Sequence, residues 1–355
     1  MKNDFKTFPD DKLKCGIVVI DNNTANILAI GGSRESGMKN LNYATEVYNQ
    51  PGSTIKPILS YAPAIEYLNY QPLTQILDEP YKYSDGMTVK NWDNRYLGNI
   101  SFRYALSNSR NVPAIKLYNS VGEENAWHFA NNLGLINRDG YSHESMAIGG
   151  FERGYTVLEM TNSYIAFPNM GKFKKASSIT SIQIGNEKLE NTDTFKQVMS
   201  PETAFLINDI LHDVLINTGY DLKHAYLSSK TGQSNYDYNT RMKYNIPPSA
   251  TKDSWVIAYT KDITLGIWCG YDDIKSGLYL TPKSKDIPLT IMKMILNELA
   301  PKSDTYDVPS DLTLMNVEII NGLIYESVGN KNTKRDYFFK GFTPLLRDNL
   351  EYEIV

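Results

Sequence analysis

Across 355 residues there are only two cysteines, Cys15 and Cys269, and four histidines, His128, His143, His212 and His224. The cysteines lie far apart in the chain and no Cys or His falls at metal-ligand spacing. Neither a disulfide framework nor a zinc site is therefore expected, and both thiols read as buried strand residues. The histidines are scattered and remote in sequence from the motifs described below, which makes them surface or packing residues rather than catalytic bases. No apolar run approaches the roughly 18 residues that cross a bilayer. The charged opening MKNDFKTFPDDKLK is unlike a signal sequence and reads as a linker remnant over residues 1–14. Positive charge is not in excess: 36 Lys and Arg against 40 Asp and Glu leave a net charge of −4, with no basic field to attract a nucleic acid.

What the chain does have is enough apolar sequence, 41%, to bury a large core. Residues 15–21 and 25–31 are β-branched apolar runs joined by Asn22, Asn23 and Thr24, a hairpin of two buried strands. Helical periodicity then dominates from Pro57 to about Ile216, over 58–68, 102–118, 124–133, 156–167 and 201–215. Strand character returns at 227–230, 254–259 and 264–270, followed by a helical run at 289–299. Strands from both ends of a domain with a long helical insertion between them predict an α/β fold of the α+β type. An antiparallel sheet lobe would lie beside an all-α lobe, with a site in the groove between them. The domain is expected over residues 15–301. A tail follows over 302–355, where 315–320, Asn321-Gly322 and 323–327 give a strong hairpin signal. So short a tail is expected to pack on the domain rather than form its own core.

Three short motifs carry chemistry. Gln50-Pro51-Gly52-Ser53-Thr54-Ile55-Lys56-Pro57 sets a serine at a helix start and a lysine three residues on, hence on the same helical face. A serine hydroxyl is a poor nucleophile until a base removes its proton, and a helix N-terminus favours the negative charge that develops. Lys56 serves as that base only when neutral. Half neutrality at pH 7 takes a shift of about 3.4 units, or roughly 4.6 kcal/mol, which calls for burial and a nearby cation. Lys230 is the candidate cation. Leu106-Ser107-Asn108-Ser109-Arg110-Asn111 offers a Ser and an Asn two apart that can project together into a groove, although such a cluster also caps helices. Ser229-Lys230-Thr231-Gly232 ends a short strand, where Gly admits a substrate backbone and Lys with Thr suits a carboxylate. Each motif alone is common by chance. In this order, with Ser109 lying 56 residues after Ser53 and Lys230 121 after Ser109, they are the S-x-x-K, S-x-N and K-T-G set of penicillin-binding proteins and class A β-lactamases.

The surrounding text resembles the transpeptidase domain of class A, bifunctional penicillin-binding proteins over about residues 15–300. GIVVIDNNTANILAIGG, ATEVYNQPGSTIKPILSYAPAIE, VKNWDNRYLGNISFRYALSNSRNVPAIKLYNSVG and DSWVIAYTKDITLGIWCGYDD carry the likeness. MAIGGFERGYTVLEMTNSYIAFPNMGKF adds a segment not expected in a β-lactamase. The resemblance implies the penicillin-binding transpeptidase or serine β-lactamase-like fold. It also implies a peptidoglycan D,D-transpeptidase that cross-links stem peptides through a serine acyl-enzyme and is acylated by β-lactams.

By the same resemblance Ser53 is the nucleophile, Lys56 the general base, and Ser109 the relay of a proton to the leaving D-Ala amine. Asn111 holds the substrate amide, Lys230 with Thr231 receives the terminal carboxylate, and the backbone N–H groups of Ser53 and Gln233 form the oxyanion hole. Gly232 and Ser234 complete the substrate-binding set. The family usually has Thr or Ser right after the K-T-G glycine; Gln233 followed by Ser234 departs from this, and lowered β-lactam affinity is expected. Trp92, between Asn91 and Asp93, is a candidate for lining the groove, the other reading being a loop anchor. Tyr271, Asp272 and Asp273 read as a turn cap rather than a metal site.

No cofactor and no metal is implied. The implied partners are peptidoglycan stem peptides, β-lactam antibiotics and a cell-wall synthesis complex. The resemblance further implies a parent protein on the outer face of the bacterial cytoplasmic membrane, with an N-terminal anchor and a glycan-polymerising domain, of which this chain is a soluble fragment without glycosyltransferase activity. Alternatives are a D,D-carboxypeptidase or β-lactamase, in which water rather than an amine resolves the acyl-enzyme, and a non-catalytic β-lactam-sensing relative.

Overall fold

The apolar run near the start of the chain becomes strand β1 (Lys14–Asp21), buried on both faces along nearly its whole length. In this computed structural model residues 8–34, 41–216, 220, 222, 225–299, 305–329 and 331–346 are described. β1 pairs antiparallel with β2 (Ile27–Gly31). The sheet is completed from the far end of the domain by β3 (Ser228–Asn235), β4 (Thr251–Tyr259) and β5 (Ile263–Gly270), in the order β3-β4-β5-β1-β2. Between β2 and β3 lie α1 (Ala62–Leu68), α2 (Phe102–Ser107), α3 (Asn111–Val121), α4 (Glu123–Asn132), α5 (Val157–Tyr164) and α6 (Pro201–Ile216), and α7 (Ile287–Leu299) follows β5.

The period-2 alternation of strand side chains divides the core in two. Cys15, Ile17, Val19, Val256, Ala258, Leu265 and Ile267 pack with Ile287, Ile291, Met292 and Leu296 of α7. Val18, Ile20, Trp255, Ile257, Tyr259 and Trp268 face the other way and join the larger helical core. On that side α5 lies close because residue 266 is glycine: a Cβ there would collide with the Thr161 hydroxyl. The α5 start is written in the sequence as Thr156-x-x-Glu159, a reciprocal capping box. The expected sheet lobe and α lobe are both present. No described helix is long and apolar enough to cross a membrane.

Three expectations change. β2 is not a buried strand: it is the outermost of the sheet, with Leu28 56% exposed. The helix expected over 102–118 is broken at Asn108–Arg110, where Ser109 takes φ 54°. The strand expected at 227–230 runs on to Asn235, because Gly232, Gln233 and Ser234, poor strand formers, are held by pairing with Trp255, Ser254 and Asp253. The two cysteines, distant in sequence, are cross-strand partners on β1 and β5 with Sγ atoms 3.3 Å apart, both free thiols.

The C-terminal residues build a second sheet, β6 (Leu312–Ile320), β7 (Leu323–Glu326) and β8 (Lys334–Phe339), ordered β7-β6-β8. The Asn321-Gly322 turn between β6 and β7 has both φ values positive, 50° and 83°, as a two-residue hairpin of this hand requires. β8 was not expected from the sequence. It carries Asp336, which takes two bonds from Arg103 of α2, Nε–Oδ2 2.7 Å and Nη2–Oδ1 2.6 Å, while Asp209 and Asp213 of α6 hold the same guanidinium. Tyr337 meets Phe205 edge-on at 4.9 Å. Asp336→Ala removes the buried partner and should lower stability by about 2 kcal/mol. A fall in the denaturation midpoint with faster proteolytic cleavage in 305–346 checks this; an unchanged midpoint would mean that the α6 carboxylates suffice.

Candidate active site

The turn that carries Ser53 is wedged between three backbones. Gly52 has φ 53°, and a Cβ there would lie 2.7 Å from Gln233 N and 2.5 Å from Gln233 O. A Cβ at Gly232 would lie 2.5 Å from Pro51 O, and one at Gly149 would collide with the Gly52 backbone. Glycines from three segments thus let β3, the nucleophile turn and the 145–150 segment touch directly. Trp255 Nε1 donates to Gln50 O at 2.8 Å, and Tyr164 Oη donates to Thr54 O at 2.5 Å. The chain passes through a tight turn, Gly52–Ile55, and a wider π-type turn, Pro57–Tyr61, before α1, which leaves Ser53 half-buried and Lys56 fully buried.

Lys56 Nζ donates to Ser109 O at 2.7 Å, Asn111 Oδ1 at 2.7 Å and Arg110 O at 3.2 Å, with Ser109 Oγ at 3.4 Å. Lys230 Nζ donates to Ser109 Oγ at 2.9 Å and to Thr231 O at 2.8 Å. Ser109 Oγ therefore sits between two amines. None of these bonds goes to the Ser53 hydroxyl. Every partner of either amine is a neutral oxygen. Burial, then the charge of Lys230, then that of Arg110 hold the Lys56 ammonium well below its usual range. Burial lowers Lys230 to about 7. A buried amine of lowered proton affinity beside the Ser53 turn is the kind of group that proton abstraction from a serine needs.

Alternation along β3 separates the remaining candidates. Lys230, Gly232 and Ser234 share the buried side, whereas Thr231 is half-buried and Gln233 exposed. The structure brings Ser53, Lys56, Ser109, Asn111, Lys230, Gly232 and the Gln233 backbone together. It turns the Ser234 hydroxyl elsewhere: Ser234 Oγ donates to the buried Asp253 carboxylate at 2.5 Å, which also accepts from Trp268 Nε1 at 3.0 Å. The described histidines are engaged away from these residues, His128 with Asn132, His143 with Ser145 and His212 with Leu227 O. His224 lies outside the described residues. Asp273 caps the turn Ile274–Ser276.

Sequence reasoning missed the support behind Asn111. Arg110, the middle residue of S-x-N, is buried and forms ion pairs with Asp78 (Nη2–Oδ2 2.9 Å) and Asp93 (Nη1–Oδ2 2.8 Å). Asn91 Oδ1 accepts from Asn111 N at 2.8 Å, and Asn111 Nδ2 donates to Lys90 O at 2.7 Å. Trp92 is 69% exposed, and its Nε1 donates to Asn108 O at 3.0 Å, which ties its loop to the break before Ser109. The signal was the run Lys90-Asn91-Trp92-Asp93-Asn94, polar residues around one tryptophan.

The family model described as the penicillin binding protein transpeptidase domain matches residues 15–268. The chain belongs to that family. Penicillin-binding protein 1A/1B of Bacillus subtilis (strain 168) is 35% identical over 342 residues, covering 93% of this chain and 37% of that protein. Penicillin-binding protein 1A of Streptococcus pneumoniae (strain ATCC BAA-255 / R6) is 32% identical over 286 residues, covering 76% and 40%. Among solved structures, penicillin-binding protein 1A from Haemophilus influenzae has a TM-score of 0.75 at 21% identity, covering 94% of this chain and 54% of that one, a likeness of fold. The chain thus spans less than half the length of the two curated relatives.

Burying Lys230 in this transpeptidase domain couples its proton to folding. The unfolded amine, near 10.5, stays charged between pH 7 and 10 while the folded one, at about 7, is neutral. The unfolded state then binds more protons, so stability should rise with pH above 7, by up to about 1.4 kcal/mol per pH unit for one lysine. Urea midpoints from pH 7 to 9 should climb, and Lys230→Met should flatten the climb; equal slopes would contradict the assignment.

Proposed function

We propose that this domain cross-links peptidoglycan stem peptides through an acyl-enzyme on Ser53. The observation that carries the proposal is the convergence of the Ser53 turn with two fully buried lysine amines, bridged by Ser109 Oγ and lacking any carboxylate partner. Neutral Lys56 takes the Ser53 proton, and Ser53 Oγ attacks the carbonyl between the two terminal D-alanines. The C–N bond breaks as Ser109, poised between the amines, delivers a proton to the departing D-Ala nitrogen. An acceptor amine then attacks the ester, loses its proton to the same relay and releases Ser53.

The Ser53 and Gln233 N–H groups are the oxyanion donors, and the close approach of Gly52 to Gln233 N supports the pairing. Lys230 and Thr231 take the substrate carboxylate and Asn111 its amide. Ser234, tied to Asp253, supplies no hydroxyl to the groove. In this reading β-lactams acylate the same serine; the curated relatives are named penicillin-binding proteins. By analogy with those relatives the domain works at the outer face of the cytoplasmic membrane.

Ser53→Ala should keep the fold and lose all covalent labelling by a fluorescent penicillin, read on a denaturing gel; persistent labelling would place the nucleophile elsewhere. Incubation with a donor stem peptide and an amine should yield cross-linked product in excess of hydrolysis. Gln233→Thr supplies the hydroxyl missing from the carboxylate site, a charge-assisted hydrogen bond of about 1.5 kcal/mol, and should speed acylation by about tenfold. Equal second-order rate constants would remove Gln233 from the account.

A further inference from the structure

Among the described residues, each hydrogen-bond partner of the Lys56 amine is delivered by the break between α2 and α3 and the residue that follows it. This backbone is not a default conformation. Ser109 is left-handed at φ 54°, and Arg110 is then extended at φ −63°, ψ 138°. A serine holds the first of these only where its surroundings impose it. The break does not cap α3 by itself, since Arg110 at the cap position makes no side-chain cap bond.

The cap comes from another segment. Asn91 Oδ1 accepts from Asn111 N at 2.8 Å and from Val112 N at 3.3 Å, and its amide donates to Asp78 Oδ1 at 2.7 Å and Arg95 O at 2.9 Å. The other Asp78 oxygen accepts from Arg110 Nε at 3.0 Å. The circuit closes from Arg110 to Asp78, to Asn91, to Asn111, which is again the neighbour of Arg110. Asp78, Asn91 and Arg110 are all buried. A buried ion pair is weak evidence for a purely stabilising role, because apolar residues of similar size often serve stability as well.

We propose that Arg110, Asp78 and Asn91 are positioning residues for acylation, a clamp that holds the Ser109 turn so that Ser109 O, Arg110 O and Asn111 Oδ1 converge on Lys56. The inference rests on the acyl-enzyme reading given above. The clamp also fixes where the Arg110 charge stands. Two charged groups bear on Lys56, Lys230 from β3 and Arg110 from the break. Asp78, from the short strand Gln75–Asp78, and Asp93, from the turn that follows Thr88–Val89, are turned onto Arg110, and Ser53, Ser109 and Asn111 are uncharged. Loosening the clamp withdraws a cation from the base and leaves carboxylates nearby. Both changes favour the protonated, unreactive form of Lys56.

The test measures acylation by a fluorescent penicillin from pH 5.5 to 8.5, with unfolding midpoints alongside. The proteins are the unsubstituted chain, Asn91→Ala, Arg110→Lys, and the charge-free double variant Arg110→Met with Asp78→Asn. Asn91→Ala and the double variant are expected to acylate roughly tenfold or more slowly than their folded fraction accounts for. In the double variant the acid limb should also move up by about half a pH unit or more. Arg110→Lys keeps the charge without the fork and should return the limb to its place while the rate stays low. Wild-type rates and limbs in folded Asn91→Ala and in the double variant would overturn the clamp, as would rates that fall only in proportion to unfolded protein. Asn91→Ala, which removes no charge, decides the matter if the double variant does not fold. An unsubstituted chain that takes no label at all brings down the acyl-enzyme reading, and the clamp with it.

Discussion

Two lysine amines buried in one groove without a carboxylate between them are the constraint on which the rest of this structure depends. An ammonium ion taken out of water loses hydration worth several kcal/mol, and a protein usually restores part of it with an acid. Here the groove offers Lys56 and Lys230 only neutral oxygens, from Ser109, Arg110, Asn111 and Thr231. The Lys56 amine is left well below its usual range and Lys230 at about 7. An aspartate in hydrogen-bond reach of Lys56 would have stabilised the fold and abolished the base. Asp78 and Asp93 pair with Arg110 instead of with either amine.

Holding such a groove together requires rigid walls on every side. The sheet supplies one wall through β3, its edge strand, whose pairing with β4 extends past the K-T-G residues to Asn235. The nucleophile turn is pressed against that strand by backbone-to-backbone contact at Gly52 and Gly232, with the glycine-containing segment around Gly149 closing the back. The α lobe supplies the other wall through the break between α2 and α3. Helix α2 is in turn fixed to α6 and to the C-terminal sheet by Arg103, which gathers Asp209, Asp213 and Asp336. The C-terminal sheet is therefore joined to the element that leads directly into Ser109.

Much of this was legible in the chain. Split apolar runs at 15–21 and 254–270 implied one sheet made from both ends, and Thr156-x-x-Glu159 and Asn321-Gly322 wrote a helix start and a hairpin turn in local chemistry. Local rules failed where a distant partner decided the outcome. The periodicity over 102–118 is helical on both sides of the break, and Pro113, which has no N–H to continue a helix from 109, is a local signal for it. The conformation of the break is held by Asn91 and Asp78, which cap and clamp residues 20 and 32 positions away in sequence. β2 reads as a core strand, yet it occupies the outer position of the sheet, and position within a sheet is a property of the whole topology. Cys15 and Cys269 gave no hint of each other until β1 and β5 paired.

The sequence by itself determined which chemical groups are present and in what order: a serine and a lysine on one helical face, a serine and an asparagine two apart, a lysine and a glycine in a strand. These depend on covalent spacing, which no tertiary contact can alter. Only the tertiary structure decided their protonation and reach. Lys56 loses proton affinity because folding removes water and brings Lys230 and Arg110 near, while Asp78 and Asp93 are engaged by Arg110. The Ser234 hydroxyl is occupied because Asp253 of the neighbouring strand accepts from it. Proton affinity and side-chain direction are set by distances between segments, and those distances exist only once the two lobes have closed on each other.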